Sequence, residues 1–188
     1  SVLAEDREML SDVESKALMR AFHIPVNTTI EAAHASEALV AAETVGFPVV
    51  MKINSPDISH KSDVGGVRVG IGNASEVKQV FRDIIDTVRA ARPNARIKGV
   101  TVETVGKIKD ARELVIGASR DNVFGPTLLF GAGGTMVEVL KDSAVALPPL
   151  NRVLADRLIN RTKVARMLES VRDKPAADRE AVIDVLLR

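Results

Sequence analysis

The chain has 188 residues, 46% hydrophobic and 27% charged, a composition that supports one sizeable core or two small lobes. Lys and Arg number 26 against 25 Asp and Glu, so the net charge of +1 gives none of the basic surplus that a nucleic-acid backbone or a polybasic membrane contact requires. Aromatic residues make up 3%, Trp and Tyr are missing, and the lack of Cys excludes disulfides, thiolate catalysis and zinc–thiolate sites.

The three histidines, His23, His34 and His60, form no HExxH-type pair. No apolar run reaches the roughly 20 residues of a membrane span and no signal peptide opens the chain, so a cytoplasmic location is expected, with neither nucleic acid nor membrane as partner. The first residue is Ser1 rather than Met, as in a processed or excised piece.

In chain order, Leu10, Val13, Ala17, Leu18 and Ala21 recur at three- and four-residue spacing and predict an amphipathic helix over 8–22, stopped by Pro25. A short strand is expected at 26–31. Ser36 is the expected N-cap of a second helix over 37–45 that ends at Gly46. Residues 48–53 read as a buried strand, and 54–66 as a loop, because Asn54, Ser55, Pro56, Asp57 and the paired Gly65 and Gly66 break all periodicity. Val67 to Ile71 alternate like the partner strand of a hairpin. Ser75 is expected to cap a long helix whose apolar face carries Val77, Val80, Phe81, Ile84, Ile85 and Val88, closed by Pro93. Strands follow at 96–105, 112–119, 127–131 and 135–140.

After Pro148 and Pro149 helical spacing returns at Leu154, Leu158, Thr162, Ala165 and Leu168, and a last helix is expected over 176–187. Gly106, Lys107, Lys109 and Asp110 interrupt two strands and mark a lobe boundary near 105–111. The fold class is α+β, or α/β with a mixed sheet.

Several residues carry candidate chemistry. Lys52 sits inside an apolar strand, where it either snorkels to water or neutralises a phosphate across a cleft. Lys61 with Gly65 and Gly66 forms either an anion-binding turn or a plain one, and the GxxxxGK[ST] pattern of a P-loop is absent. Gly133 and Gly134 pose the same choice, with Glu138 and Asp142 close behind as carboxylates for the rim of a metal–phosphate site or as a solvated strand edge. Glu103 and Glu113 fall in consecutive strands, where simple alternation would point them at solvent. His60, flanked by Ser59 and Lys61, is a phosphoryl acceptor or an ordinary loop histidine.

The order of these features is more specific than any one of them. Phe47-Pro-Val-Val-Met-Lys-Ile-Asn-Ser-Pro-Asp-Ile-Ser-His-Lys-Ser-Asp-Val-Gly-Gly-Val67 resembles the first half of the ATP-grasp module of NDP-forming acyl-CoA synthetases. Arg112-Glu-Leu-Val-Ile-Gly117, Phe124-Gly-Pro126 and Phe130-Gly-Ala-Gly-Gly-Thr-Met-Val-Glu-Val-Leu140 resemble the second half, and the opening Glu14-Ser-Lys16 with Ile24-Pro25 fits too. The likeness covers roughly residues 10–150 strongly and 151–188 more loosely.

The resemblance implies an ATP-grasp fold in which ATP or ADP lies between two α+β lobes. Residues 1–24 would lead in, 25–108 form the N-terminal lobe and 109–188 an incomplete C-terminal lobe. By this likeness Lys52 contacts the phosphates, with Lys61, Gly65 and Gly66 in the covering loop. Glu103 takes the hinge position near the adenine, and Glu113 follows it. His60 matches the second phosphohistidine of the archaeal-type relatives, whose main phosphohistidine belongs to a CoA-binding ligase domain on the same or another chain. An oligomer is expected.

Two departures qualify the likeness. Synthetases of the family often carry an Arg near position 146, whereas Val145-Ala-Leu-Pro-Pro-Leu-Asn151 resembles the synthetase-like region of bacterial protein lysine acetyltransferases, a ligand-binding or regulatory module fused to an acetyltransferase domain. The family also continues into an Asp-Ile-Asn-Pro-type strand that helps hold Mg²⁺, so the Mg²⁺ ligands are expected partly beyond Arg188, and the isolated piece is expected to be inactive.

Overall fold

The computed structural model describes residues 9–105, 110–134, 141–170 and 174–188, in two compact units, residues 1–107 and 108–188. The architecture is mixed α+β, as expected, and among the described residues every strand pair is antiparallel.

The first unit contains α1 (Asp12–Ala21), β1 (Thr29–Ala32), α2 (Ala35–Val45), β2 (Val49–Asn54), β3 (Val67–Ile71), α3 (Ala74–Ala91) and β4 (Gly99–Thr104). The strands form one sheet in the order β1-β4-β2-β3. Alternate residues Val49, Met51 and Ile53 of β2 and Val100 and Val102 of β4 are fully buried, and they share a core with Ala38, Ala41 and Ala42 of α2 and Val77, Ile84, Ile85 and Val88 of α3. Lys52 pairs with Thr101, and Val50 with Glu103. The two-residue period of the strand therefore turns Lys52, Thr101 and Glu103 to the face opposite the core.

The helix starts differ from the sequence expectation. Asn73, not Ser75, caps α3: its side-chain oxygen accepts the Ser75 N–H at 3.1 Å, because a cap must stand outside the helix to reach the free amides of the first turn. Helix α2 starts after His34 with no side-chain cap, leaving Ser36 inside, and it ends as expected at Gly46, whose φ is +85°. Helix α1 has a full capping box between Ser11 and Glu14. Its expected apolar stripe is not a core face: α1 buries no residue and Leu18 is 51% exposed.

The loop after β2 is tied down by charge. The Asp57 carboxylate accepts both the Arg96 backbone N–H, at 2.7 Å, and its guanidinium, at 2.6 Å. A 3₁₀ turn at Ser62–Val64 leads to Gly65, at φ +67°, and Gly66, where an added Cβ would lie 2.6 Å from Ile53 Cγ2. Only glycine fits both positions.

The second unit contains β5 (Leu114–Asp121), β6 (Gly125–Ala132), β7 (Ser143–Ala146), α4 (Arg152–Asn160), a 3₁₀ turn at Val164–Leu168 and α5 (Arg179–Leu187). The sheet order is β5-β6-β7, and Phe130, Ala144, Ala155, Leu158, Ile159, Leu168, Ile183 and Leu186 form its core. Strand β7 was not foreseen, and the strand expected over 135–140 lies outside the described residues. The helical spacing from Leu154 to Leu168 does not make one helix. The Asp142 carboxylate accepts the N–H groups of Lys163 and Val164, at 2.8 and 2.6 Å, and fixes a break after α4.

Two outcomes test this packing. Ile84→Ala should cost about 2–5 kcal/mol of unfolding free energy, while Leu18→Ala should stay within about 0.5 kcal/mol, both read by denaturant melts. Equal losses would contradict the exposed position of α1. The Arg96 hydrogen bonds also lower the Asp57 pKa to about 2. A depressed carboxyl pKa stabilises above the unfolded value, so the loop tether is intact above about pH 4 and is lost as pH falls through about 2. An NMR titration of the Asp57 carboxyl showing an ordinary midpoint would refute it.

Candidate functional site

The polar face of the first sheet is organised around Glu103, which is only 3% exposed. Lys52 Nζ of β2 donates to its Oε2 at 3.0 Å, and Asn27 Nδ2 donates to the same oxygen at 3.2 Å. Lys16 Nζ of α1 stands 3.0 Å from Oε1 and donates to Thr29 Oγ1 of β1 at 2.5 Å. Lys16 thus partners Oε1 across 3.0 Å, and the neighbouring Thr101 Oγ1 is a buried oxygen lacking a hydrogen bond among the described residues. Burial pushes the Glu103 carboxyl up, but the hydrogen bonds and charges of Lys52 and Lys16 outweigh it and hold the pKa below the usual Glu value. The Lys52 side chain is 31% exposed and remains within reach of a ligand.

A buried carboxylate and an unbonded hydroxyl, beside a partly exposed lysine, fit a ligand that brings hydrogen-bond donors together with negative charge. A nucleotide has both.

Of the expected covering loop, Lys61 is engaged with Asp12 of α1 at 2.9 Å. The Gly65 N–H donates to Ser62 O at 3.1 Å and the Gly66 N–H to Lys61 O at 2.8 Å. These amides close the turn on itself, and the glycines serve its shape. His60 is exposed, and its imidazole has no hydrogen bond among the described residues. A hollow of about 520 Å³ opens between the start of α1 and this loop, beside Asn54, the next residue of β2 on the Lys52 face, and Lys61, Arg96 and Lys98 line it.

In the second unit Glu113 precedes β5, and its carbonyl accepts the Gly133 N–H at 2.8 Å. Gly134, at φ +66°, lies so close that a Cβ would overlap the Glu113 carboxylate. These three expected residues therefore come together. Asp142 does not join them, because both its oxygens are held by Lys163 and Val164. Glu138 lies outside the described residues. Among the described residues no three His, Asp or Glu side chains converge to hold a metal ion. A second hollow, of about 480 Å³ between β7 and α4, is mainly apolar and contains none of the expected site residues.

Sequence reading missed Lys16, Asn27 and Thr101. For Thr101 a signal existed: once Lys52 is set on the outward face, alternation along a paired strand puts Thr101 and Glu103 there too. No described helix is long and apolar enough to cross a membrane.

The whole chain, residues 1–188, matches the model of the ATP-grasp domain family. It is 38% identical over 186 residues to the acetate–CoA ligase [ADP-forming] I of Archaeoglobus fulgidus, covering 99% of this chain and 27% of that protein. With the beta subunit of acetate–CoA ligase [ADP-forming] II of Pyrococcus furiosus it shares 37% identity over 187 residues, covering 100% of this chain and 78% of the subunit. The dinucleotide-forming acetyl-coenzyme A synthetase 1 of Ca. Korarchaeum cryptofilum, solved in complex with coenzyme A, Ca-AMPCP and HgCl⁺, superposes with a TM-score of 0.93 at 37% identity, over 99% of this chain and 80% of that one. The chain thus spans about a quarter of the single-chain ligase and most of the separate beta subunit. It belongs to the ATP-grasp family, in the group of the ADP-forming acetate–CoA ligases.

Proposed function

We propose that this chain is the ATP- and ADP-binding ATP-grasp portion of an ADP-forming acyl-CoA ligase that works by phosphoryl transfer through phosphohistidine. The observation that carries the reading is the Lys52–Glu103 pair, beside the unbonded buried Thr101 hydroxyl, on the polar sheet face of a chain that matches the ATP-grasp family throughout.

Lys52 binds the phosphate oxygens, which replace part of its contact with Glu103. The Glu103 carboxylate accepts from the amino group of the base, and Thr101 completes that edge. Glu113, backed by Gly133 and Gly134, is the corresponding acidic residue of the second lobe. Residues 25–108 and 109–188 act as the two lobes, with 1–24 leading in. The nucleotide supplies the terminal phosphoryl group. A His60 ring nitrogen takes that group with its lone pair, and the electron pair of the broken P–O bond stays on the ADP oxygen. The exposure of His60 suits exchange with a CoA-binding ligase domain that carries its own histidine. Calcium accompanies the nucleotide analogue in the Korarchaeum structure, which supports a divalent cation, Mg²⁺, in this reaction. The ligase relatives favour this reading over a regulatory module of a lysine acetyltransferase.

In the full-length protein, Lys52→Ala should weaken ADP binding by about 1–3 kcal/mol in calorimetry, the size of a lost charge-assisted contact. Unchanged affinity would end the assignment. Incubation with γ-³²P-ATP should leave acid-labile label, with the share on this chain removed by His60→Ala. Label absent from every histidine would end the phosphohistidine route.

A further inference from the structure

Resting on that nucleotide reading, we propose that Lys16 of α1 is a positioning residue of the same site: it stays on Glu103 when Lys52 turns to the phosphates, keeping the carboxylate ionised and in place. Lys16 is the better anchored of the two cations. Its side chain is 18% exposed against 31% for Lys52, and it also holds Thr29 of β1 at 2.5 Å. Lys52 has the exposure needed to meet a ligand.

Among the described residues, the groups around the Glu103 carboxylate are few. Lys16 comes from α1, Lys52 from β2, and Asn27 from the segment before β1, where the Asn27 carbonyl accepts from Arg20 at 3.3 Å. Glu31 of β1 stands opposite Thr101 and takes a hydrogen bond from Asn54 at 3.1 Å. Once phosphates take up the charge of Lys52, Lys16 is, among the described residues, the only cation left on a buried carboxylate that also faces a polyanion. Without Lys16 that carboxylate would bind a proton, and nucleotide binding would become coupled to proton uptake. Glu103 needs a second cation because its first one is shared with the ligand.

The test measures ADP affinity of the full-length protein from pH 6 to 8 by calorimetry, with wild type as the reference for the titration of ADP itself. Lys16→Met should bind ADP with an extra dependence of up to about tenfold per pH unit, weaker as pH rises. Lys16→Arg should restore the wild-type profile. Lys16→Met combined with Glu103→Gln should bind as Glu103→Gln alone does, since removing the carboxylate removes the task. That pair also carries the test if Lys16→Met by itself does not fold. A Lys16→Met profile parallel to wild type, whether at equal or uniformly lower affinity, overturns the proposal, as does a double variant several-fold weaker than Glu103→Gln. If wild type binds no ADP, the nucleotide reading falls and takes this one with it. If wild type binds and Lys52→Ala weakens it while Lys16→Met matches wild type, only the role of Lys16 falls.

Discussion

A carboxylate that is 3% exposed within a sheet must be neutralised where it stands, and in this chain that requirement falls on Glu103. Removing an ion from water costs several kcal/mol unless partners replace the lost hydration. Lys52 and Lys16 both stand 3.0 Å away, and Asn27 adds a hydrogen bond. The consequence reaches beyond the site. Helix α1 buries none of its side chains, so its attachment depends on polar contacts, and two of them, Lys16 to Glu103 and Asp12 to Lys61, lie one turn apart on the helix. The same carboxylate therefore docks a helix and holds the lysine assigned to the phosphates.

The position of that lysine comes from packing on the other side of the sheet. Met51 and Ile53 are fully buried under α2 and α3, and their pairing with Val102 and Val100 sets the register of β2 against β4. A slip of one residue would bury Lys52 among aliphatic side chains and turn Met51 outward. The core thus fixes the chemistry indirectly. Ile53 also presses on Gly66, so the shape of the loop that carries His60 and Lys61 follows from the same strand.

What the sequence disclosed follows this division. Strand β2 and the long helix α3 were legible because each buries one periodic face, and periodicity records burial, whereas the hairpin partner β3 alternates in sequence although only Ile71 of it is buried. Helix α1 misled for the converse reason: its spacing is helical, yet the stripe of Leu10, Leu18 and Ala21 faces outward, since charge rather than apolar contact holds it. Ser75 and Ser36 both look like caps, but capping depends on which residue stands just outside the helix, and propensity alone does not separate Asn73 from Ser75. For Glu103, alternation alone pointed to solvent and only the family likeness pointed to the hinge, because its partners are distant in sequence, Lys52 by 51 positions. Asp142 read as either a rim carboxylate or a solvated strand edge, and that its oxygens accept from two amides some twenty residues on is something no local pattern reveals.

The two glycine pairs sharpen the physical picture of anion recognition here. In sequence both resemble nests of free amides. In the structure the amides of Gly65 and Gly66 donate within their own turn, and that of Gly133 donates to Glu113. Their common property is close approach: a Cβ on Gly66 would strike Ile53, and one on Gly134 would strike the Glu113 carboxylate. The glycines therefore let a loop or strand end lie flat against a residue that matters. Under the proposed function, attraction for a phosphate comes from side-chain charge, and on the polar sheet face Lys52 carries that charge 3.0 Å from Glu103.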